Sequence, residues 1–471
     1  MFFSEENVPM AFKEKVLEEF KTFLPEKAIL LNEEATSRTA GGLHTEEPIH
    51  AELILRPKTT EEVSKILTIC NKHDQPIVVH GGVTGLVYGT RTSVNQIILS
   101  LERMKEIEEV DLIGRTMTCQ SGVTLQDIQE RAEENDMIFP LDLGARGSCS
   151  IGGNISTNAG GNRVIRFGMT RDSVLGIEAV TPDGTVLSSM NRMIKNNAGY
   201  DLKQMFIGTE GTLGVVTKCV LRLREAPISQ NTALVGINDF SSILKFLKHI
   251  DSGLGGNMSA FEVMWEGFYD MVTNSLNKNS LPLKPNIPYY VLVESMGSNQ
   301  TKDEEHFEFL LSEALEKSMI VDAVLAKSEK ERTGLWSLRD DVEKQAQFGP
   351  TLMFDVSLPI SQMEEYVNKV NENLNTHWAN YHFIVWGHLA DGNLHLVAGV
   401  GDLAKDTIKK IETSVYDPLE QIGGSVSAEH GIGIEKKPYL YLSRSQEEIN
   451  YMKMLKKTFD PKSILNPGLI F

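Results

Sequence analysis

Gly144-Ala145-Arg146-Gly147-Ser148-Cys149-Ser150-Ile151-Gly152-Gly153-Asn154-Ile155-Ser156-Thr157-Asn158-Ala159-Gly160-Gly161-Asn162 carries small or amide-bearing side chains almost throughout. Such a stretch has little with which to build a core, and its use is to lay backbone amides and short hydroxyls along a polar ligand. Towards the N-terminus, Pro76-Ile77-Val78-Val79 reads as a short buried strand. It runs into Gly81-Gly82-Val83-Thr84-Gly85, where glycine lets an anion approach successive N–H groups. Towards the C-terminus, Gly208-Thr209-Glu210-Gly211-Thr212-Leu213-Gly214 repeats the character. One cluster alone is an ordinary turn; two that converge suit a diphosphate. None is G-x-G-x-x-G opening a helix with an acidic residue further on, nor G-x-x-x-x-G-K-[ST]. Rossmann and P-loop sites are therefore disfavoured, and another dinucleotide fold is needed.

Around these loops the pattern predicts an amphipathic helix over 8–24, with Phe12, Val16, Leu17, Phe20 and Leu24 at helical spacing. An extended segment over 51–56 follows. Thr59-Thr60-Glu61-Glu62 has the form of a capping box and opens a helix to about His73. Strands are expected from Met117, over 173–188 around a Pro182-Asp183-Gly184 turn, and over 211–224, with a helix over 124–135. Beyond residue 226 the glycine clusters stop and longer helix and strand patterns take over, which marks a domain boundary.

The 471 residues favour two or three domains, and 41% hydrophobic with 23% charged residues is an ordinary globular balance. A net charge of −18 argues against nucleic acid and anionic lipid as partners, because both need clustered Lys and Arg. Cys70, Cys119, Cys149 and Cys219 form no C-x-x-C pair, so neither a zinc knuckle nor a disulfide scaffold is indicated. No apolar run approaches the roughly 20 residues of a membrane span. The expectation from these features is a cytoplasmic protein without a transmembrane segment.

In Trp386-Gly387-His388-Leu389-Ala390-Asp391-Gly392-Asn393-Leu394-His395-Leu396, the Asp-Gly dipeptide predicts a two-residue hairpin loop. His388 would then pair with His395 on one face, about 5 Å apart at Cβ, where two imidazoles can share a metal. Ser427-Ala428-Glu429-His430-Gly431-Ile432-Gly433 suggests a carboxylate third ligand, and two histidines with a glutamate is a donor set of catalytic zinc. Spacing alone leaves open a cross-strand aromatic pair with an unrelated Glu-His.

HGGVTGL (80–86), PLDLGARGSCSIGGNISTNAGGN (140–162), GYDLKQMFIGTEGTLG (199–214) and Asn466-Pro467-Gly468 together resemble the FAD-binding half of the vanillyl-alcohol-oxidase-type flavoproteins. The likeness is to the D-lactate, glycolate and D-2-hydroxyglutarate dehydrogenase branch, from about residue 45 to the end. It implies an α+β fold: a two-subdomain FAD-binding domain over 45–225, behind an N-terminal helical segment at 1–44. An antiparallel-sheet and helix substrate (cap) domain over 226–425 carries the metal hairpin, and a C-terminal segment over 426–471 returns to the flavin. The flavin contacts it implies are His80, Gly81, Gly82, Val83, Thr84, Gly85, Leu86, Pro140, Leu141, Gly144 and Ser148. They continue through Gly152, Gly153, Asn154, Thr157, Asn158, Gly160 and Gly161 to Glu210, Gly211, Gly214, Val215 and Asn466. Relatives with covalently bound flavin have a histidine after the first glycine pair. Val83 and Thr84 stand there instead, so the FAD is expected to be non-covalent.

Carried over position by position, the resemblance makes His388, His395 and Glu429 ligands of a divalent metal, zinc by ligand type, with His430 as the base. The C2 hydride of a small anionic D-2-hydroxy acid would pass to the flavin N5. Arg339, in Leu335-Trp336-Ser337-Leu338-Arg339, is the candidate for the substrate carboxylate; without the family it reads as a surface arginine paired with Asp340 or Glu343. The substrate contacts depart from the 2-hydroxyglutarate branch. Met353 replaces an expected lysine, Val397 an asparagine and Glu343 a threonine. Met and Val cannot pair a distal carboxylate, so D-lactate or an aliphatic D-2-hydroxy acid is expected over D-2-hydroxyglutarate or D-malate. Reoxidation falls to an electron-transfer flavoprotein, a quinone or a cytochrome, and a homodimer is allowed. The rival readings are a flavin-free metal hydrolase, which leaves the glycine tracts unused, and a non-catalytic binding protein of the same fold.

Overall fold

The computed structural model describes residues 10–42, 48–276 and 281–471. They divide into two compact units. The first takes in residues up to 159, with 169–225 and 429–471; the second takes 160–168 and 226–428.

In the first unit a small sheet has the strand order Ile29–Leu31, Leu53–Leu55, Ile97–Ser100, Ile77–His80. Its last three strands run parallel. The helix Thr60–Lys72 between two of them supplies the right kind of crossover, and it starts where the sequence predicts, with Thr59 Oγ1 accepting from Glu62 N–H. Val63, Ile66, Leu67 and Cys70 on this helix pack with Ile77, Ile97 and Leu99 of the sheet. The N-terminal helix Met10–Lys21 joins the same core through Val16 and Phe20, so it belongs to this unit. Val8 and Pro9 of the expected helix lie outside the described residues, as does the side chain of Phe12.

The second subdomain of this unit is a five-stranded antiparallel sheet, ordered Ile107–Asp111, Thr116–Gln120, Val215–Arg222, Val174–Val180, Val186–Ser189. The Pro182-Asp183-Gly184 turn joins the last two strands, with Gly184 at φ +88°. Helices Leu125–Glu133 and Ile151–Thr157 share its core through Leu125, Ile128, Ile151 and Ile155. The parallel strand-helix units thus end after the first subdomain, and the whole chain is α+β.

The second unit is built on seven antiparallel strands: Asp322–Leu325, Ser229–Ile237, Tyr289–Gly297, Met258–Trp265, His382–His388, Asn393–Gly399 and Leu352–Ser357. Side chains alternate along a strand, so the register puts Glu262, Met264, Tyr290, Leu292, Trp386, His388, His395, Val397, Met353 and Asp355 on one face. Phe268 and Leu335, from helices Glu266–Thr273 and Glu329–Asp340, pack into the apolar cluster of that face. Phe354 points the other way, edge-on against Tyr416 of the helix Lys405–Ile422.

The units divide at 226, where the sequence places a boundary, but the division departs from the expected one in two other places. Residues 160–168, including Gly160 and Gly161, leave the glycine tract to pack with the second unit, and 426–428 end that unit instead of opening the last segment.

Candidate functional site

The first unit holds a cleft lined largely by glycine-rich backbone. Its walls come from both glycine loops, the Glu210–Val216 tract, His430, Asn466 and Leu469. The loops touch where only glycine fits. A Cβ on Gly82 would sit 2.2 Å from the Ser148 carbonyl oxygen, and one on Gly81 2.5 Å from Ser150 Oγ. Ser150 locks them together, its hydroxyl accepting N–H from Gly82 at 3.1 Å and from Gly153, at the start of helix Ile151–Thr157, at 3.4 Å. Asn466 ties in the C-terminus: its Oδ1 accepts from Val79 N–H at 2.8 Å and its Nδ2 donates to the Glu210 carbonyl at 2.7 Å.

Among the described residues Glu210 is the lone acid lining this cleft, and no lysine or arginine lines it. Both its carboxylate oxygens are engaged by backbone, accepting from Ile432 N–H at 2.7 Å and Gly433 N–H at 2.9 Å. Burial pushes its carboxyl up against the lowering effect of those N–H groups. A diphosphate placed here therefore meets backbone amides and the hydroxyls of Ser and Thr, with no unpaired carboxylate to repel it. The donor chemistry fits a dinucleotide.

Of the expected flavin contacts, Gly81 to Gly85, Gly152 to Asn154, Thr157, Glu210, Gly211, Gly214, Val215 and Asn466 line the cleft. Leu86, Pro140, Leu141, Gly144, Ser148 and Asn158 are not in its wall, and Gly160 and Gly161 go with the other unit. His80 is buried behind the loop. Its Nε2 lies 3.0 Å from the Thr90 carbonyl, and burial drops its pKa to about 4, so the neutral ring donates there and pins the loop. Cys149 and Ser150 also line the cleft, although the sequence reading did not single them out.

In the second unit a chain of charge lies inside the sheet face. Glu262 accepts from Arg339 Nε at 2.8 Å and stands 2.7 Å from His388 Nδ1. Burial raises its carboxyl, but the neighbouring His388 and Arg339 charges prevail and hold it down to about 2. An ionised carboxylate only accepts, so His388 Nδ1 carries a hydrogen whether or not the ring is charged, and in the neutral ring the lone pair is left to Nε2. Arg339 Nη2 is 3.2 Å from that Nε2. Arg339 is only 6% exposed, so it is no surface arginine: it keeps the expected ion pair with Asp340, at 3.7 Å, but its shorter bond is to buried Glu262.

The hairpin is looser than expected. Leu389 to Asp391 form a 3-10 turn closed by Gly392 N–H to the Leu389 carbonyl, and Trp386, not His388, lies opposite His395. A two-residue loop of the predicted type needs positive φ at both central residues. Gly392 has it at +90°, whereas Asp391 does not. The histidines nevertheless meet, ring centres 5.3 Å apart, with ring nitrogens within 4.8 Å of each other. Asp355, opposite His395 in register, is fully buried and accepts from Asn393 Nδ2 and from Ala428 N–H at 3.1 Å. Among the substrate candidates, Met353 is half-buried opposite Val397, which is fully buried, while Glu343 is exposed in a 3-10 segment. Glu262 and Asp355 were missed from sequence. The available signal was a lone acid inside an apolar strand, as in Phe261-Glu262-Val263 and Phe354-Asp355-Val356.

Comparison with known proteins agrees with both halves. The family described as "FAD binding domain" matches residues 51–189, and "FAD linked oxidases, C-terminal domain" matches 226–470. A mitochondrial D-2-hydroxyglutarate dehydrogenase of Danio rerio is 39% identical over 452 residues, 95% of this chain and 83% of that protein. A putative mitochondrial D-lactate dehydrogenase of Schizosaccharomyces pombe is also 39% identical, over 88% of this chain and 81% of its own. The crystal structure of p-cresol methylhydroxylase with substrate bound superposes with a TM-score of 0.77 at 16% identity, covering 98% and 97% of the two chains, which speaks for the fold alone. The cytoplasmic expectation is overturned, because these relatives are named as mitochondrial proteins. Composition constrains solubility, not compartment, and the finding that no described helix is long and apolar enough to cross a membrane fits either address. With its glycine-lined cleft, its antiparallel cap sheet and relatives of this identity along nearly its whole length, the chain belongs to the FAD-linked D-2-hydroxy-acid dehydrogenases of the vanillyl-alcohol-oxidase type.

Proposed function

We propose that this protein oxidises a D-2-hydroxy acid to the 2-oxo acid, with non-covalent FAD in the cleft and a divalent metal, zinc by donor type, on His388, His395 and Glu429. The observation that carries the reading is His430 in the wall of the cleft. Two residues before it in the chain stands Ala428, bonded to Asp355 beside the His395 strand. The metal has support in the donor chemistry: two buried imidazoles with nitrogens within 4.8 Å, one of them with Nδ1 fixed by a carboxylate as metal-binding histidines usually are. Glu429 follows Ala428 directly.

When bound, FAD supplies the acceptor for the C2 hydride and the metal supplies Lewis acidity towards the hydroxyl. His430 takes the hydroxyl proton on its ring nitrogen. Arg339 offers its guanidinium to the substrate carboxylate, kept in place by Glu262. Met353, backed by Val397 and the apolar cluster around Trp386, offers nothing ionic to a second carboxylate. The favoured substrates are therefore D-lactate and longer aliphatic D-2-hydroxy acids.

Anaerobic bleaching of the flavin by D-lactate but not by L-lactate tests the reaction, and metal analysis of the purified protein tests the metal. Steady-state kinetics should rank D-lactate and D-2-hydroxybutyrate above D-2-hydroxyglutarate, and a clear preference for the dicarboxylate would overturn the apolar tail. Reoxidation assays with an electron-transfer flavoprotein, a quinone analogue and a cytochrome separate the acceptors.

A further inference from the structure

Glu429, His430 and Gly431 are flanked on both sides by backbone amides bonded to buried carboxylates. Before them, Ala428 N–H donates to Asp355. After them, Ile432 N–H donates to Glu210 Oε1 at 2.7 Å and Gly433 N–H to Glu210 Oε2 at 2.9 Å. We propose that Glu210 is a positioning residue for His430: its two-oxygen grip on consecutive amides sets the imidazole in the wall of the flavin cleft. The proposal rests on the reading of His430 as the base.

The chemistry of the grip calls for a carboxylate. Two adjacent N–H groups need two acceptors, whereas a glutamine would offer one and turn its NH2 towards the other amide. The backbone is shaped for the same end. Glu210 has φ +52°, a left-handed conformation that glycine favours, between Gly208 at +78° and Gly211 at +69°. Such a conformation persists where surroundings over-determine it, and it gathers at functional sites. Here Glu210 N–H donates to the Ser156 carbonyl at 2.8 Å, and the Glu210 carbonyl accepts from Asn466 Nδ2 at 2.7 Å. On the other side Gly431 is at φ +87°, and a Cβ there would lie 2.9 Å from Glu210 Oε1, so the loop is drawn tightly against the carboxylate. The exit is fixed as well, by Ile434 N–H donating to the Val87 carbonyl at 3.0 Å. A shift of the two amides would therefore be passed to His430 two residues earlier.

The test uses the purified holoenzyme and four variants: E210Q, E210D, H430N and E210Q/H430N. Flavin content is read from absorbance, and amide exchange is followed in the peptide covering 428–436. Anaerobic stopped-flow reduction is run with D-lactate and with D-2-hydroxyglutarate, using whichever reduces the wild-type flavin faster. E210Q is expected to keep its flavin, to exchange the 432 and 433 amides faster, and to lose about 10- to 100-fold in limiting reduction rate. Its apparent Kd for the acid should change by less than about threefold, E210D should recover part of the rate, and E210Q should add almost nothing in the H430N background. If E210Q does not fold, E210D carries the comparison, with a smaller loss that again vanishes in the H430N background. Wild-type reduction by E210Q, a loss explained wholly by missing flavin, or a full additional loss on top of H430N overturns the proposal. H430N reducing at the wild-type rate instead overturns the base assignment, whatever Glu210 does.

Discussion

Glu262 accepts from both Arg339 and His388 while almost wholly buried, so it fixes a cation and an imidazole tautomer at once. Replacing it with glutamine leaves Arg339 without its counter-charge and lets the His388 ring turn. Outer partners of this kind are commonly worth 10- to 100-fold in metal affinity or activity. E262Q should accordingly lose about 10- to 100-fold in kcat/KM together with bound metal, measured by steady-state kinetics and elemental analysis of the same preparation. A second change acts on choice of substrate. Met353→Lys puts an ammonium on the half-buried strand position opposite Val397. The variant should gain about tenfold in kcat/KM on D-2-hydroxyglutarate relative to D-lactate, because a paired distal carboxylate no longer loses its solvation uncompensated. Kinetics on both acids check it, and an unchanged ratio would show that the tail lies elsewhere. His388, His395, Glu429 and His430 stood out in the sequence because paired histidines and a Glu-His between small residues are rare in a core. Glu262 and Asp355 did not: each is one acid in an apolar strand, and its partner is defined only by register across other strands.

Loops and strands show where pattern reading succeeds and where it slips. The capped helix from Thr60 and the strand running into Gly81 were legible, since both rest on local chemistry. The turn between His388 and His395 was legible but registered two residues out, because whether Asp391 enters a left-handed conformation depends on the burial of Leu389 and on Leu358 N–H bonding the Gly392 carbonyl. The glycine loops were legible as ligand loops, yet their mutual contact was not. It yields a sharp expectation: Gly82→Ala would drive a methyl into the Ser148 carbonyl at 2.2 Å and the Cys149 backbone at 2.7 Å. Both obstacles are backbone, which cannot swing aside like a side chain, so the loops must part. G82A should purify with little flavin, or release it on dilution far faster than wild type, as read by absorbance after gel filtration. Retained flavin at wild-type occupancy would mean that the cofactor does not depend on this junction.

Across the whole molecule the composition was silent about how the chain divides, since residues 160–168 group with the second unit although the glycine tract that leads into them belongs to the first. Net charge is likewise a poor guide to acid stability, which depends on individual carboxylates whose pKa changes on folding. Glu102 is such a group. It accepts from Arg38 Nη1 at 2.5 Å and Arg56 Nη1 at 3.0 Å, tying two segments of the first subdomain to the end of the Ile97–Ser100 strand. Burial alone would raise its pKa, but the hydrogen bonds and charges of the two arginines take it from 4.5 down to about 2. A depressed carboxylate contributes stability that is complete above its unfolded value and fades as pH falls from about 4.5 towards 2. Arg38 is 37% exposed and Glu102 29%, so solvent screens the cluster and its worth is about 1 kcal/mol, well below what the shift alone would suggest. Glu102→Gln removes that contribution and its titration together. Urea midpoints of the two holoenzymes should therefore differ by a constant amount above about pH 5 and draw together as pH falls from about 4.5 towards 2, where first the unfolded and then the folded carboxyl takes up its proton. A gap that stays constant over this range would mean that Glu102 stabilises the fold through its shape and not its charge.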